Sequence, residues 1–295
     1  RRHFKLQTPS VKSIPAEEGI ADMMVHLYRH FARPLSQETL FTWHRFLTRG
    51  RKDLKKMGAY RTHLEPMQIV SGAIYQPKIH FEAPPSHQMH QEMKGFIRWF
   101  NDTSPKGKTP LSPLIRAGIA HLYFVSIHPF EDGNGRIARA LVEKALSQAL
   151  GQPTLIALSQ IIQDQKKDYY KRLELNNKGL EITDWLQFFF KIILKGQRFT
   201  QNELEFLIEK TKFYEKFREQ LNERQLKVIQ RIFEEGSKGF QGGLSAENYI
   251  RITKTSRATA TRDLQNLLDQ GVLFKTGELR HTRYYLRMNL MNRSS

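Results

Sequence analysis

The most informative part of the chain is a run of twelve residues rich in groups that act on phosphates: His128-Pro129-Phe130-Glu131-Asp132-Gly133-Asn134-Gly135-Arg136-Ile137-Ala138-Arg139. With an ordinary pKa of about 6.5, His128 can accept a proton from an attacking hydroxyl at neutral pH. Asp132 can hold Mg²⁺, a cation that proteins usually bind with one or two carboxylates plus phosphate oxygens. These residue types predict chemistry on a phosphate chain.

The same run supplies donors for phosphate oxygens. Gly133 and Gly135 let the backbone approach closely and expose N–H groups, and a helix that begins near Gly135 adds its positive dipole end. Asn134 can donate from its side-chain amide. Arg136 and Arg139, three residues apart on one helical face, can fork around the remaining phosphates. The alternative is an ordinary helix-to-helix turn in which the aspartate only caps the next helix.

Helices must position this run, because apolar residues recur at three- and four-residue spacing on both sides of it. Segments 113–125 and 137–150 flank the run, and Ser112 is placed to cap the first of them before Pro113. Further helices are predicted over residues 16–31, 38–47, 88–100, 155–175, 183–195 and 199–221.

One segment departs from the helical pattern. Residues 68–83 contain two short β-rich runs around a turn, closed by Pro84-Pro85, and predict a small β-hairpin. A lone hairpin is stable only if it packs on the helices, and its outer edge offers unpaired backbone groups.

The C-terminal part has a second organisation. Asn222 can cap a helix, two more helices follow, and residues 272–286 read as a hairpin, an order that resembles a winged helix-turn-helix domain. Its third helix, from Ser256, begins with residues suited to phosphate and base-edge contacts. DNA binding through residues 254–286 and a role in protein interaction both stay open. The predicted fold is therefore mainly α, with a domain over residues 1–198, a connecting helix over 199–221 and a winged-helix domain over 222–295.

Composition sets limits on the class of protein. The chain has 295 residues, 47 Lys and Arg against 29 Asp and Glu, a formal net charge of +18 and no cysteine. Without cysteine, a disulfide scaffold, a thiolate zinc site and a cysteine nucleophile are excluded. No run approaches the roughly 18 to 20 apolar residues that span a bilayer, so we expect a soluble, cytoplasmic protein with no membrane partner. The excess charge favours a polyanionic partner.

The run from His128 to Arg139 resembles the signature of the Fic family, His-x-Phe-x-(Asp/Glu)-Gly-Asn-Gly-Arg-x-x-Arg, and matches it at every specified position. The resemblance extends to residues 40–44 and 58–61, to the hairpin, and to the pair Tyr169-Tyr170, and covers roughly residues 16–195.

The resemblance implies transfer of AMP from ATP to a Ser, Thr or Tyr hydroxyl of a target protein, with self-modification included. It implies that His128 is the general base, that Asp132 holds Mg²⁺, and that Phe130 anchors the loop in the core. The remaining roles that it implies are an anion hole (Gly133, Asn134, Gly135), grips on the outer phosphates (Arg136, Arg139), an adenine-side wall (Tyr169, Tyr170) and a flap that holds the target by strand addition (Ile69, Val70, Ser71, Gly72).

Several alternatives stay open at this stage. The chain could be a DNA-binding regulator whose Fic-like domain senses nucleotides, or an enzyme that removes AMP or transfers another nucleotide moiety. A homodimer is a further open question. Many Fic proteins carry an inhibitory helix with the pattern (Ser/Thr)-x-x-x-Glu-(Gly/Asn), and residues 13–19 come closest to it without matching. We therefore expect the chain, as given, to be derepressed.

Overall fold

The structure, a computed structural model, describes residues 15–73, 76–177, 179–240 and 242–287. Within these ranges the chain is mainly helical, as predicted, and falls into two compact units that divide between Gln197 and Arg198. None of the helices in these ranges has the length and apolar character needed to cross a membrane.

The first unit begins with two helices, α1 (Pro15–His30) and α2 (Gln37–Leu47), and continues with two strands, β1 (Gln68–Ala73) and β2 (Gln76–Glu82). Helices α3 (Met89–Asp102), α4 (Pro113–Ile127) and α5 (Asn134–Leu150) follow. The unit then continues through α6 (Leu158–Asp164), α7 (Lys166–Asn176) and the first part of α8 (Thr183–Phe217). The segment nearest to an inhibitory motif, residues 13–19, lies partly outside the described residues.

Helices α4 and α5 pack against each other in the centre of this unit, and α3, α1 and α2 pack around them. Gly118 of α4 also allows α8 to pack closely against α4, because a Cβ at this position would lie 2.8 Å from Leu186 Cδ2 on α8. The indole N–H of Trp185, itself fully buried, donates to the Gly118 carbonyl over 2.9 Å. Because α4 and α5 are central, the loop between them is held from several sides.

Three local details differ from the sequence expectations. The helix expected over residues 155–175 is divided at Gln165 into α6 and α7, whereas α8 runs without a break through Gly196. A Cβ on Gly196 would lie 2.8 Å from Ile156 Cγ2, so this glycine permits close packing and does not end the helix. Pro113 is the first residue of α4, but the Ser112 side chain makes no capping hydrogen bond.

Strands β1 and β2 form a two-stranded antiparallel sheet in which Gln68 pairs with Glu82 and Ala73 with Gln76, with a register shift between Ile69 and Val70. Residues 74 and 75, between the strands, lie outside the described part of the chain. The expected flap residues Ile69, Val70, Ser71 and Gly72 belong to β1, and only their backbone is described.

The second unit contains the end of α8 and helices α9 (Glu223–Glu234), α10 (Ala246–Thr253) and α11 (Arg257–Asp269). Two antiparallel strands, β3 (Leu273–Thr276) and β4 (Arg283–Leu286), follow them. Asn222 caps α9 through a capping box with Gln225, and three residues join α10 to α11. The winged-helix assignment of this unit stays a prediction.

One buried carboxylate joins the helices of the second unit. Asp263 on α11, 5% exposed, accepts hydrogen bonds from Arg224, Tyr249 and Asn222. Burial alone raises the pKa of Asp263, but these donors outweigh burial and lower the pKa below its usual value.

We predict that Asp263→Ala lowers the free energy of unfolding by about 1 to 3 kcal/mol, because it leaves buried donors without an acceptor. Chemical denaturation of the whole chain measures the change. Asp269→Ala is the control, since Asp269 is an exposed residue on the same helix and accepts a hydrogen bond from exposed Gln265. Equal losses from the two variants would contradict the role given to Asp263.

Candidate active site

Two residues with left-handed backbone define the loop between α4 and α5. His128 ends α4 with φ 51° and ψ 56°, and Gly133 precedes α5 with φ 87°. A side chain at position 133 would be strained by that φ value, and its Cβ would also lie 3.6 Å from Leu47 and 3.7 Å from His44. The glycine is therefore required by the conformation of the loop.

Phe130 holds the middle of the loop in the core. Its side chain is 0% exposed, and its ring stacks on the His44 ring with centroids 4.2 Å apart and planes 11° apart. Tyr60 and Phe124 complete the aromatic surroundings. Burial lowers the pKa of His44 to about 4, and its Nδ1 accepts a hydrogen bond from the Gly58 N–H over 2.8 Å.

Asn134 braces the same loop with its side-chain amide. Its Oδ1 accepts from the Phe130 N–H over 3.0 Å, and its Nδ2 donates to the Phe130 carbonyl over 2.7 Å. The side chain is 2% exposed. Asn134 thus fixes the loop conformation in this structure, a role that the sequence did not predict for it.

The imidazole of His128 is largely buried, and its Nδ1 lies 3.3 Å from the Val125 carbonyl. A carbonyl can only accept, so Nδ1 carries the proton in this contact and Nε2 is left as the acceptor. Burial lowers the pKa of His128 to about 4, and the positive charge of Arg61 acts in the same direction. The Val125 carbonyl and Asp132 oppose both effects without overcoming them. His128 is therefore a neutral base at pH 7.

Both oxygens of the Asp132 carboxylate have partners. Oδ1 accepts from the Gly133 N–H over 2.6 Å, and Oδ2 accepts from Arg51 over 2.7 Å and from Arg136 over 3.1 Å. Burial by itself raises the pKa of Asp132, but these hydrogen bonds outweigh burial and leave the pKa below its usual value. Asp132 is an anion at neutral pH, and 40% of its side chain is exposed.

Arg139 differs from Arg136, although the two lie on the same helix. Among the described residues no carboxylate pairs with the Arg139 guanidinium, and burial lowers its pKa. Tyr169 and Tyr170 act against this lowering of the Arg139 pKa, and the charge of Arg136 adds to it. Unlike a buried arginine whose N–H groups donate to backbone carbonyls, Arg139 is therefore a candidate for binding an anion.

Arg139 and His128 line one cavity of about 1020 Å³. Its described lining holds four Arg and Lys side chains and one Glu, and α6, α7 and Phe81 of β2 contribute walls beside α4 and α5. The lining residues are Phe81, Val125, Ser126, His128, Gly135, Arg139, Ser159, Gln160, Ile162, Gln163, Lys166, Lys167, Tyr169, Tyr170, Lys171, Leu173, Glu174 and Asn177. Tyr169 is buried and its hydroxyl lies 2.7 Å from His121 Nε2, whereas Tyr170 is 49% exposed.

The structure brings five of the expected site residues together in this lining: His128, Gly135, Arg139, Tyr169 and Tyr170. Asp132, Gly133, Asn134 and Arg136 belong to the adjoining loop and helix start and do not line the cavity. Among the described residues no cluster of three or more acidic or histidine side chains could hold a metal ion.

Sequence reasoning gave no role to Arg51, His44 and Arg61, which contact the loop from positions far away in the chain. His44 and Arg61 lie in the segments 40–44 and 58–61, whose resemblance to the Fic family was noted. Their partners could not be found from the sequence, because Arg61 and the His128 carbonyl that it contacts are 67 residues apart.

Part of the chain, including this loop, is similar in sequence to known proteins. Residues 34–146 match the sequence profile of the Fic/DOC family. The chain is 34% identical over 95 residues to protein adenylyltransferase fic-1 of Caenorhabditis elegans, a match that covers 32% of this chain and 17% of the relative. It is 40% identical over 87 residues to protein adenylyltransferase Fic of Drosophila melanogaster, covering 30% and 16%. The chain thus matches about a sixth of the length of these relatives.

Solved structures of Fic proteins are also similar. A Fic family protein from Desulfovibrio desulfuricans G20 has a TM-score of 0.49 and 21% identity, covering 94% of this chain and 77% of that one. Fic-1 of C. elegans (residues 134–508) has a TM-score of 0.45 and 24% identity, covering 66% and 52%. Residues 34–146 of this chain, which include the loop from His128 to Arg139, are thus similar in sequence to the Fic/DOC family.

Proposed function

We propose that this chain is a protein adenylyltransferase, which transfers AMP from ATP to a hydroxyl side chain of a protein and also modifies itself. The named activity of its relatives supports the reaction class. The observation that carries the proposal is the cavity lined by both the neutral base His128 and the cation Arg139, which no carboxylate pairs in the part of the chain that the structure describes.

The net positive charge of the cavity lining suits a nucleoside triphosphate. Arg139, Lys166, Lys167 and Lys171 are the cations in its lining, and Glu174 is the one carboxylate. A cavity of about 1020 Å³ is at the upper end of the sizes usual for small-molecule sites, which are on the order of 300 to 1,000 Å³. The α5 N-terminus beside it adds N–H groups and the positive end of a helix dipole.

In the proposed reaction the oxygen of the target hydroxyl forms a bond to the α-phosphorus of ATP. The bond from that phosphorus to the bridging oxygen of the β-phosphate breaks, and pyrophosphate leaves. The hydroxyl proton passes to Nε2 of His128, the nitrogen that the Val125 contact leaves unprotonated. The backbone N–H groups of Gly133, Asn134 and Gly135 would stabilise charge on the α-phosphate, because the Asn134 side chain is held by Phe130; the Gly133 N–H would have to leave Asp132 Oδ1 to do so. Arg136 and Arg139 would hold the outer phosphates.

The proposed metal, Mg²⁺, fits one residue of the site. Asp132 offers a partly exposed anionic carboxylate next to the helix start that would receive the phosphates. One carboxylate, with phosphate oxygens and water as the other ligands, is the usual donor set for this cation. Bound there, Mg²⁺ would neutralise charge on the phosphates.

Two further parts of the proposal concern the partners. Tyr169 and Tyr170 form the wall for the adenine base, and the backbone of β1 at Ile69, Val70, Ser71 and Gly72 holds the target segment by strand addition. DNA binding through residues 254–286 stays a separate hypothesis, supported by exposed basic residues on and before α11, among them Lys254, Arg257 and Arg262.

We predict that His128→Ala lowers AMP transfer by about 10²- to 10⁴-fold, the usual contribution of a general base. Labelled ATP with lysate proteins, or with the chain alone, measures the transfer, and calorimetric titration with ATP checks that nucleotide binding persists. His63→Ala is the control, since His63 is partly exposed and its Nδ1 contacts the Glu65 carbonyl, away from the His128 loop. A wild-type chain that binds ATP but labels nothing would favour the nucleotide-sensor hypothesis.

We also predict that Arg51→Gln raises the affinity for a divalent cation by about 2- to 5-fold, because it removes one of the two arginines that compete with a metal ion for Asp132 Oδ2 and leaves only Arg136 there. Titration of Mn²⁺ in the presence of a non-hydrolysable ATP analogue, followed by electron paramagnetic resonance, measures the affinity directly. Arg45→Gln is the matched control, since Arg45 pairs with Glu38 on the surface of α2. An affinity that falls would mean that Arg51 itself contacts the phosphates.

A further inference from the structure

Arg61 is a buried cation that contacts the His128 loop and has no carboxylate partner among the described residues. Its side chain is 1% exposed, and burial lowers its pKa. Its Nε donates to the His128 carbonyl over 2.8 Å, and one terminal nitrogen also approaches the Ile127 carbonyl at 3.4 Å. Its backbone N–H donates to the Pro129 carbonyl over 2.9 Å. Three consecutive carbonyls at the end of α4 thus receive donors from one residue.

These carbonyls need a partner from outside the helix. The last carbonyls of an α-helix have no intrahelical donor, and the negative end of the helix dipole favours a cation beside them. Past Ile127, the left-handed backbone of His128 prevents the helix from continuing and is unfavourable for a residue with a Cβ. Arg61 stabilises this conformation by binding the carbonyl of the strained residue itself.

The same guanidinium also binds the segment that follows β2. Its terminal nitrogens donate to the Pro84 carbonyl and, over 2.8 Å, to Ser86 Oγ. Pro84 lies two residues beyond the end of β2, the strand whose Phe81 lines the cavity. Arg61 is therefore the link between the base of the β1–β2 sheet and the loop that carries His128.

We propose that Arg61 is a positioning residue, which fixes the backbone of His128 and holds it in a constant relation to the strands expected to receive the target. The proposal rests on the general-base role given to His128 above. Arg61 touches neither substrate nor the reacting atoms in this scheme. It acts through the His128 carbonyl and the Pro84 carbonyl.

Loss of Arg61 has a signature that a purely structural residue would not give. Its charge is among the causes that keep the pKa of His128 low, together with burial, and against the Val125 carbonyl and Asp132. Removing that charge therefore raises the pKa of His128. In the pH dependence of the rate, activity falls at low pH as His128 becomes protonated, and this fall moves to higher pH.

The chain supplies a matched control in Arg116, another buried arginine at 1% exposure. Its terminal nitrogens donate to the Phe100 carbonyl and to Gln148 Oε1, each over 2.8 Å, and to the Ala145 carbonyl at 3.4 Å. Arg116 thus has the same chemistry and burial as Arg61, without a contact to the His128 loop.

The experiment compares Arg61→Gln and Arg61→Lys with Arg116→Gln in the full chain. Nuclear magnetic resonance of the histidine side chains gives the pKa of His128, and single-turnover kinetics with labelled ATP gives the rate. Calorimetry gives the affinity for a non-hydrolysable ATP analogue. We expect Arg61→Gln to raise the His128 pKa and to lower the rate about 10- to 100-fold by misplacing the base, with the analogue affinity changed less than about 3-fold. Arg61→Lys keeps the charge, so the pKa returns towards wild type while the rate recovers only in part.

Equal effects of Arg61→Gln and Arg116→Gln on the His128 pKa and on the rate would overturn the proposal and leave Arg61 a residue of the core. If Arg61→Gln does not fold, the rate of Arg61→Lys relative to Arg116→Lys makes the same decision. Activity that survives in His128→Ala would instead overturn the general-base role given to His128, and a wild-type chain that binds ATP but transfers no AMP would overturn the proposed function. The His128 pKa does not depend on activity, so the two failures can be told apart.

Discussion

The buried backbone of the loop from His128 to Gly133 is the constraint on which the rest of the site depends. Its carbonyls and N–H groups belong to no helix or strand, and leaving each of them unpaired would cost about 1 to 3 kcal/mol. Arg61 meets the carbonyls on one side, and the side-chain amide of Asn134 meets Phe130 on the other. These bonds require that the segment before β1 and the start of α5 both lie against the loop. The arrangement of the helices around α4 and α5 satisfies that requirement.

The cations around the loop divide into paired and unpaired ones, and the division has consequences for binding. Arg136 shares the Asp132 oxygen with Arg51, so it can turn towards a phosphate without leaving that carboxylate unpaired. Arg139, three residues later and facing the cavity, has no such partner among the described residues. A net charge of +18 distributed along the chain could not distinguish these positions. Arg136 and Arg139 differ because Asp132 pairs with Arg136 and because Arg139 is buried enough for its pKa to be lowered.

Much of the helical framework follows from apolar spacing. The four helices before the loop, α1 to α4, and the helix after it, α5, begin and end within a few residues of their expected bounds. The types of residue in the loop also pointed to a nucleotide before any geometry was known. The sequence could not assign Asn134 to the loop backbone, because an amide can donate to a phosphate or to a carbonyl equally well. Nor could it predict the partners of Arg61, which are set by how α4 packs against distant segments. Two helices were predicted where α8 is unbroken, because a glycine often marks the end of a helix. Here Gly196 instead makes room for the Ile156 side chain.

The low pKa of His128 is consistent with the proposed chemistry once the charge of the substrate is considered. At a pKa of about 4 the imidazole is neutral but a weak base, in a cavity that burial and Arg61 make unfavourable for a second positive charge. A bound polyphosphate would bring several negative charges close to the ring, and nearby negative charge favours the protonated form. The proton affinity of His128 would therefore rise when nucleotide is present, at the stage when it must accept the proton of the hydroxyl. Before nucleotide binds, the same imidazole stays uncharged and does not compete with Arg139 for the phosphates.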